Sequence, residues 1–387
     1  MLIGLIALGA ATALLCVGTN LGLWIAGRIF QGVSAAIVWT VGLALLVDTI
    51  GKDGIGQAMG YAGMAITFGT LCGPLLGGVI YGKGGYYAVF GLSFGLIGID
   101  IVLRFLLIER KYAVYWLGEE KAVSPAEEAH EKSGVTKAVA NNPETDTNLA
   151  NEPGNAPAKR KRNLGAVMTL LSSRRMLVTI WAYFILSLIL TSFDSVLPIF
   201  VQDTFHWKQT AQGLIFLPLE IPHLIDPLVG FIIDRYPSSR RYLSAVGFFC
   251  AVPVMVVLRM VTENTMNNKI LLCALLALIG LCIAVGIIPL MVEVTFAVLA
   301  KEEKTPDIFG KGGAMALAYG ILNAAYAAGS VAGPFFAGFI RDTAGWGTMT
   351  WALALITGVS GVPILLFVGG FLFSGSRCRR KRDLNEG

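Results

Sequence analysis

Long apolar runs recur along the chain. Candidate spanning segments fall at about 1–17, 21–47, 58–80, 87–108, 176–201, 212–233, 242–261, 270–299, 315–340 and 349–373. Each comes close to the roughly 20 apolar residues that carry a helix across a bilayer. The runs are continuously apolar instead of alternating, so they predict helices and not barrel strands. The first run is apolar from its start with no basic segment before it, which predicts a spanning helix and not a cleaved leader. The expected fold is an all-α polytopic membrane protein with about ten transmembrane helices.

One long stretch breaks the pattern. EEKAVSPAEEAHEKSGVTKAVANNPETDTNLANEPGNAPAKRKR, residues 119–162, is polar, acidic in its middle, and rich in Pro, Asn, Ala and Glu. Such a composition buries too little apolar surface to order itself, so a disordered linker is expected over 109–175. It divides the chain into an N-terminal bundle at 1–108, with four spans, and a C-terminal bundle at 176–374, with six. A basic tail follows at 375–387.

Composition agrees. The chain is 55% hydrophobic and 14% charged, against roughly 25% charged in soluble domains. The net charge of +5 reads as a topology signal. One set of connections carries Lys52, Arg110, Lys111, Lys159, Arg160, Lys161, Arg162, Arg235, Arg240, Arg241, Lys301, Lys304, Lys311, and the tail cations from Arg377 to Arg382. The alternate set holds little beyond Lys83, Lys208, Lys269 and Arg341. Cations favour the cytoplasmic side, so both chain ends are expected there. The cluster Lys159–Arg162 is topogenic and close enough to the bilayer to meet anionic lipid. Six scattered cysteines without a CxxC pair, and three histidines at 130, 206 and 223, support neither a disulfide framework nor a metal site. No nucleotide loop or Ser–His–Asp arrangement appears. An enzyme, an ATP-driven pump, a cofactor and a nucleic-acid partner are all unexpected.

Two stretches place helix-disfavouring residues inside apolar runs. GTLCGPLLGG, residues 69–78, carries Gly69, Gly73, Pro74, Gly77 and Gly78; GSVAGPFFAG, residues 329–338, carries Gly329, Gly333 and Pro334. In lipid, small residues four apart let helix backbones approach closely. Proline removes one backbone donor and bends the helix. The repeat points to internal duplication, a common way of building transporters.

These residues resemble a known family. GTLCGPLLGG is similar to the antiporter motif in the fifth helix of the major facilitator superfamily. GRIFQGVSAAIVWTVGLALLVD, residues 27–48, resembles its fourth-helix motif, with Arg28, Gln31 and Gly32 in order. GFIIDRYPSSRR, residues 230–241, is similar to the Gly-x-x-x-Asp-Arg signature between the eighth and ninth helices, with Pro-Ser-Ser in place of the usual glycine. Residues 46–74 and 193–225 resemble the vesicular amine transporter branch and its fungal drug:proton antiporter-like relatives. The resemblance implies a two-bundle fold of twelve helices, of which about ten are expected here. The first two family helices are expected to be missing, through a truncated reading frame or a short isoform. It also implies secondary, proton-coupled efflux of a small organic molecule, multidrug-like and amphiphilic or cationic, by alternating access. Expected partners are the substrate, protons and the lipid bilayer, with a monomeric assembly in the plasma membrane or a vacuolar or vesicular membrane. A transport-dead membrane sensor or assembly partner is the alternative.

Ionisable groups at membrane depth are costly, by about 2.5–3.5 kcal/mol on insertion scales, and are functional candidates by default. By the resemblance, Arg28 pairs with cavity acids and takes part in proton coupling. Asp194, deep in its helix, is a candidate for proton exchange or for pairing with a cationic substrate. Glu220, His223 and Asp226 form a polar stripe, drifting around the helix, among Pro218, Pro222 and Pro227. A histidine between two acids suits a proton relay; a static hydrogen-bonded cluster is the competing account. Glu293, after Pro289, either joins a relay or pairs with a loop cation. Asn323 and Ala284 stand where the amine branch carries acids, which argues against importing its substrate. Trp181, Tyr183, Phe193, Tyr319 and Tyr326 are candidate cavity aromatics, with lipid-facing or packing roles as the alternative. Asp48, Asp234 and Arg235 are expected to lock a cytoplasmic gate. The glycine-proline helices are expected at the interface between bundles.

Overall fold

The computed structural model describes residues 2–51, 54–106, 167–304 and 314–370. The expected linker lies almost wholly outside the described residues, as does the basic tail. All regular elements among the described residues are helical. The N-terminal part contains α1 (Leu2–Val17), α2 (Leu21–Ile50) and α3 (Ile55–Leu106). The C-terminal part contains α4 (Arg174–Phe205), α5 (Gln209–Leu214), α6 (Leu217–Glu220), a 3-10 turn (Ile221–Ile225), α7 (Asp226–Arg235), α8 (Ser239–Leu258), α9 (Met266–Lys304), α10 (Ala314–Ala344) and α11 (Trp346–Phe367). Eight helical segments among the described residues are long and apolar enough to cross a membrane, and Leu2–Val17 is a shorter apolar helix.

Local chemistry sets the breaks. Asn20 caps α2 by accepting from the Leu23 amide at 2.8 Å, satisfying one of the donors that a helix start leaves free. The predicted spans 58–80 and 87–108 both lie in α3, which changes course at Gly85 (φ 73°, ψ −167°). Only glycine adopts that backbone without steric cost. Hydroxyls within the helices fold back onto their own carbonyls, as in Thr12 to Leu8 (2.8 Å), Ser34 to Phe30 (2.8 Å) and Thr357 to Leu353 (2.6 Å). Their hydrogen-bonding needs are thereby met inside an apolar surrounding.

Burial is uneven. In α4, 61% of the most apolar window is buried, against 0% for Leu76–Leu106. The large hydrophobic core lies mainly among the C-terminal helices, with α4 packed on α10 and α11, and α8 packed on α9 and α11. Close approach is bought with glycine: a methyl at Gly247 on α8 would lie 2.5 Å from the Cys282 carbonyl on α9.

The two parts meet along α3 and α7. A Cβ at Gly60 would lie 2.6 Å from Pro227 Cα, and one at Gly63 would lie 2.5 Å from Asp226 Oδ2. Gly230 abuts the Gly56 backbone in the same way. Both helices that carry the glycine-proline motifs meet the other part, α3 at α7 and α10 at α2, but the motif glycines expected at that interface are not the residues that make it. Gly329 and Gly333 pack against Phe184, Leu188 and Thr191 of α4, within the C-terminal part, while a Cβ at Gly69, Gly73, Gly77 or Gly78 would meet nothing within 4 Å beyond its own stretch of helix, among the described residues. The contact between parts uses Gly56, Gly60, Gly63 and Gly230, because the short side chains of α3 that face α7 lie one to four turns before the motif.

The two loop sets distinguished by charge lie at opposite ends of the C-terminal helices. At one end Arg175 and Arg240 pair with Glu293, Arg241 donates to the Val368 carbonyl and Lys301 to Ser172 Oγ. At the other, Arg341 pairs with Asp203, and Lys269 lies 5.7 Å from the Phe205 ring centroid.

Candidate transport cavity and its gate

A cavity of ≈ 600 Å³ opens between the two parts. Gly32, Ala35, Ala36 and Trp39 of α2, and Gly63, Ile66, Thr67 and Thr70 of α3, form one wall. Tyr183, Tyr326, Asn323, Glu220, His223 and Asp226 are among the facing residues. Tyr183 and Tyr326 sit ring to ring, with centroids 5.5 Å apart. The size falls within the range of small-molecule sites, and a mostly apolar wall with a few convergent polar groups is their usual make-up.

Three prolines create the polar wall. Pro218 stands at the start of α6, Pro222 in the 3-10 turn and Pro227 in the first turn of α7. None has an amide hydrogen to continue an α ladder, so the backbone tightens to 3-10 geometry between them. Positions three apart then stack above one another instead of drifting. His223 Nδ1 consequently lies 3.5 Å from Asp226 Oδ2. Glu220 sits nearer the open space, where Thr70 Oγ1 of α3 approaches its Oε2 at 3.5 Å. Asp226 is 1% exposed, and its Oδ1 has no hydrogen-bond partner among the described residues.

Outside the cavity lining, Asp234 of α7 fastens the two parts together. Its Oδ1 accepts from the Gly56 amide at 2.7 Å and its Oδ2 from the Gln57 amide at 2.8 Å. These are free donors of the first turn of α3, at the positive end of its dipole. A side chain of one part thus caps a helix of the other. Asp48 and Arg235 are exposed and make no ion pair among the described residues, so of the three expected gate residues only Asp234 joins the two parts.

The remaining candidates fall elsewhere. Arg28 is exposed, donates to Gln31 Oε1 at 3.1 Å and does not line the cavity. Asp194 is exposed and is not itself among the lining residues, but its charge acts on Glu220 and Tyr326, which are, so it stands beside the cavity. Glu293 is 0% exposed and sits in a separate cluster. Arg175 donates to its Oε1, as does the Gly369 amide at 2.6 Å, and Arg240 Nε lies 3.8 Å from Oε2. Of its two expected roles, the structure places it in cation pairing. The Arg240 guanidinium also lies 3.8 Å from the Phe296 ring centroid. Among the candidate aromatics, Tyr183 and Tyr326 line the cavity. Phe193 and Tyr319 are core residues, and Trp181 donates to Ser360 at 3.0 Å.

Sequence reasoning missed Thr70, Arg175 and Arg240. Thr70 lies inside the quoted antiporter motif, where only the glycines and proline were weighed. The arginines begin apolar helices and read as topogenic charges, with no signal naming Glu293 as their partner.

A helical membrane protein with two parts around a mostly apolar central cavity that carries a few polar groups defines a transporter-type architecture. The description "Major Facilitator Superfamily" matches residues 1–305. An uncharacterised MFS-type transporter, C18.02, of Schizosaccharomyces pombe is 32% identical over 364 residues, covering 92% of this chain and 76% of that protein. A probable vesicular acetylcholine transporter-B of Danio rerio is 21% identical over 374 residues, covering 95% and 63%. The crystal structure of the human organic anion transporter MFSD10 (TETRAN) matches with a TM-score of 0.61 at 16% identity, covering 94% of this chain and 76% of that one. The chain belongs to the major facilitator superfamily. Membership places it among secondary transporters of small molecules, as a multi-pass integral membrane protein.

Proposed function

We propose that this chain performs proton-coupled antiport, exporting a small organic molecule of cationic or amphiphilic character by alternating access. The observation that carries the reading is the cavity between the two parts, with Glu220, His223 and Asp226 gathered on one wall opposite α2 and α3. Acids beside a tyrosine pair favour a cation, through charge and through the aromatic faces. The Asp234 end is read as cytoplasmic from its excess of arginine and lysine, with both chain ends on that side. In this reading Asp234 closes the cytoplasmic gate while the cavity takes or releases substrate on the other side. The chain acts as a monomer and performs no covalent chemistry. Residues 109–175 and 375–387 serve as linker and tail outside the membrane.

Purified protein in proteoliposomes tests the proposal. Uptake of organic cations is measured with and without an imposed pH gradient. Gradient-driven accumulation that collapses with a protonophore is expected. Transport indifferent to the gradient would remove the coupling, and exclusive transport of anions would remove the substrate class.

A further inference from the structure

We propose that the His223–Asp226 pair is the proton-binding site that closes the seam between α3 and α7: closure traps one proton on the pair, and opening releases it. The inference rests on the coupled transport proposed above and assigns the coupling ion to one place.

The argument begins with burial. Asp226 lies at the start of α7, where Gly60 and Gly63 of α3 come closest to it. Those glycines supply no hydrogen-bonding side chain, and Ile288 of α9, beside Gly63, is apolar. The other titratable groups whose fields couple to Asp226 are His223, Glu220 and Tyr183. No lysine or arginine pairs with it among the described residues. An ionised carboxylate with one bare oxygen, in a site 1% exposed, carries a large desolvation penalty. One proton relieves it in either of two ways. It neutralises Asp226, or it sits on His223 and makes the 3.5 Å contact a true ion pair. In both cases the closed pair holds one proton.

Opening reverses this. Separating α3 from α7 wets Asp226 and removes the cost of its charge. Near neutral pH a hydrated aspartate is ionised and a hydrated histidine is largely neutral, so the open pair holds no proton. The closed state therefore binds one more proton than the open state, and acid favours closure. Glu220 differs in a way that separates the roles. It is half-buried and borders the cavity, so water in the cavity reaches it in the closed state as well as in the open one.

The experiment reads the seam directly. Spin labels are placed at Ala58→Cys and Tyr236→Cys in the full chain, with native cysteines replaced by alanine, in nanodiscs. Distance distributions are recorded between about pH 5 and pH 8, where such a pair titrates. The closed-to-open ratio is expected to rise by up to about tenfold per unit fall in pH, the limit for one linked proton. Asp226→Asn, neutral at every pH, is expected to stay closed and lose the dependence. His223→Gln is expected to move its midpoint strongly, and Glu220→Gln, which removes a neighbouring negative charge, to lower it slightly while keeping the dependence. Gly63→Ala, which presses on Asp226, is expected to hold the seam open. If Asp226→Asn does not fold, an unmoved midpoint in His223→Gln overturns the proposal by itself. Parental pH dependence in Asp226→Asn, or its loss in Glu220→Gln alone, also overturns it. Gradient-driven uptake by a parent whose seam ignores pH overturns the pair and leaves coupled transport standing. A pH-responsive seam lost in Asp226→Asn, without gradient-driven uptake, upholds the pair and removes coupled transport.

Discussion

GTLCGPLLGG and GSVAGPFFAG share a pattern and differ in their surroundings. Gly329 and Gly333 of α10 lie against α4, where a methyl on Gly333 would strike Thr191 Oγ1 and come 2.5 Å from the Leu188 carbonyl. The close approach is used: Ser192 Oγ donates to the Gly333 carbonyl at 3.1 Å, and Ser187 Oγ to the Tyr326 carbonyl at 2.7 Å. A methyl on Gly69, Gly73 or Gly77 of α3 would meet nothing within 4 Å beyond its own stretch of helix, among the described residues. Glycines four apart thus encode a capacity for close approach, and the neighbour decides whether it is used. The C-terminal part uses it and fastens its ends with buried polar groups; the described N-terminal part leaves the same face open.

The largest test of that contrast is Glu293. Replacing it with alanine leaves Arg175 and Arg240 facing a buried site without their carboxylate and frees the Gly369 amide. Breaking one side of a buried charge cluster costs about 3–5 kcal/mol. Glu293→Ala is expected to lower the detergent-solubilised melting temperature strongly, and Glu293→Gln less, since the amide oxygen still accepts. Asp48→Ala, at an exposed acid of the N-terminal part, is expected to leave it unmoved. Equal effects at positions 293 and 48 would end the distinction between the two parts.

A smaller effect is expected from the glycines themselves. Gly333→Leu overpacks the α4–α10 contact, in a class that costs about 1–3 kcal/mol. Gly73→Leu enters open space and is expected to leave stability unchanged. The pair is compared by fluorescence-detected size exclusion after heating. A Gly73→Leu loss as large as that of Gly333→Leu would mean that the α3 face is covered in the membrane-embedded protein.

The string was legible as a close-packing device, but its neighbour was not, and the same limit runs through the molecule. Spanning helices are readable because a bilayer demands a long apolar run, so α4, α8 and α11 fall near their predicted places. The break among Pro218, Pro222 and Pro227 was readable because proline acts locally. Its consequence was only half readable. The sequence pattern grouped Glu220, His223 and Asp226, but α-helical spacing implied a drifting stripe. The 3-10 turn instead stacks His223 on Asp226 and leaves Glu220 facing the cavity. Contacts between distant segments were readable as roles without partners: Asp234 in a gate, and Glu293 in a relay or beside a loop cation. Asp234 on the Gly56 and Gln57 amides, and Glu293 between Arg175 and Arg240, require the fold to bring remote turns together. Arg28 shows the converse: a family pattern marks a position without fixing its surroundings.

The finest test uses single hydroxyls. Ser192 Oγ reaches both the Leu188 carbonyl of its own helix (2.6 Å) and Gly333 across the contact. Ser93, in the N-terminal part, reaches only Val89 of its own helix, at 3.2 Å. A buried hydrogen bond contributes about 1 kcal/mol net, and a hydroxyl that merely folds back on its helix contributes little. Ser192→Ala is therefore expected to lower stability by about 1 kcal/mol, with Ser93→Ala near zero. Because alanine keeps the Cβ and opens no large cavity, the difference isolates the bond between helices. If Ser192→Ala in a Gly333→Leu background still costs the full amount, the hydroxyl acts within α4 alone. If the two losses are not additive, hydroxyl and glycine are one contact, and the close approach of α10 to α4 is what gives the bond its value.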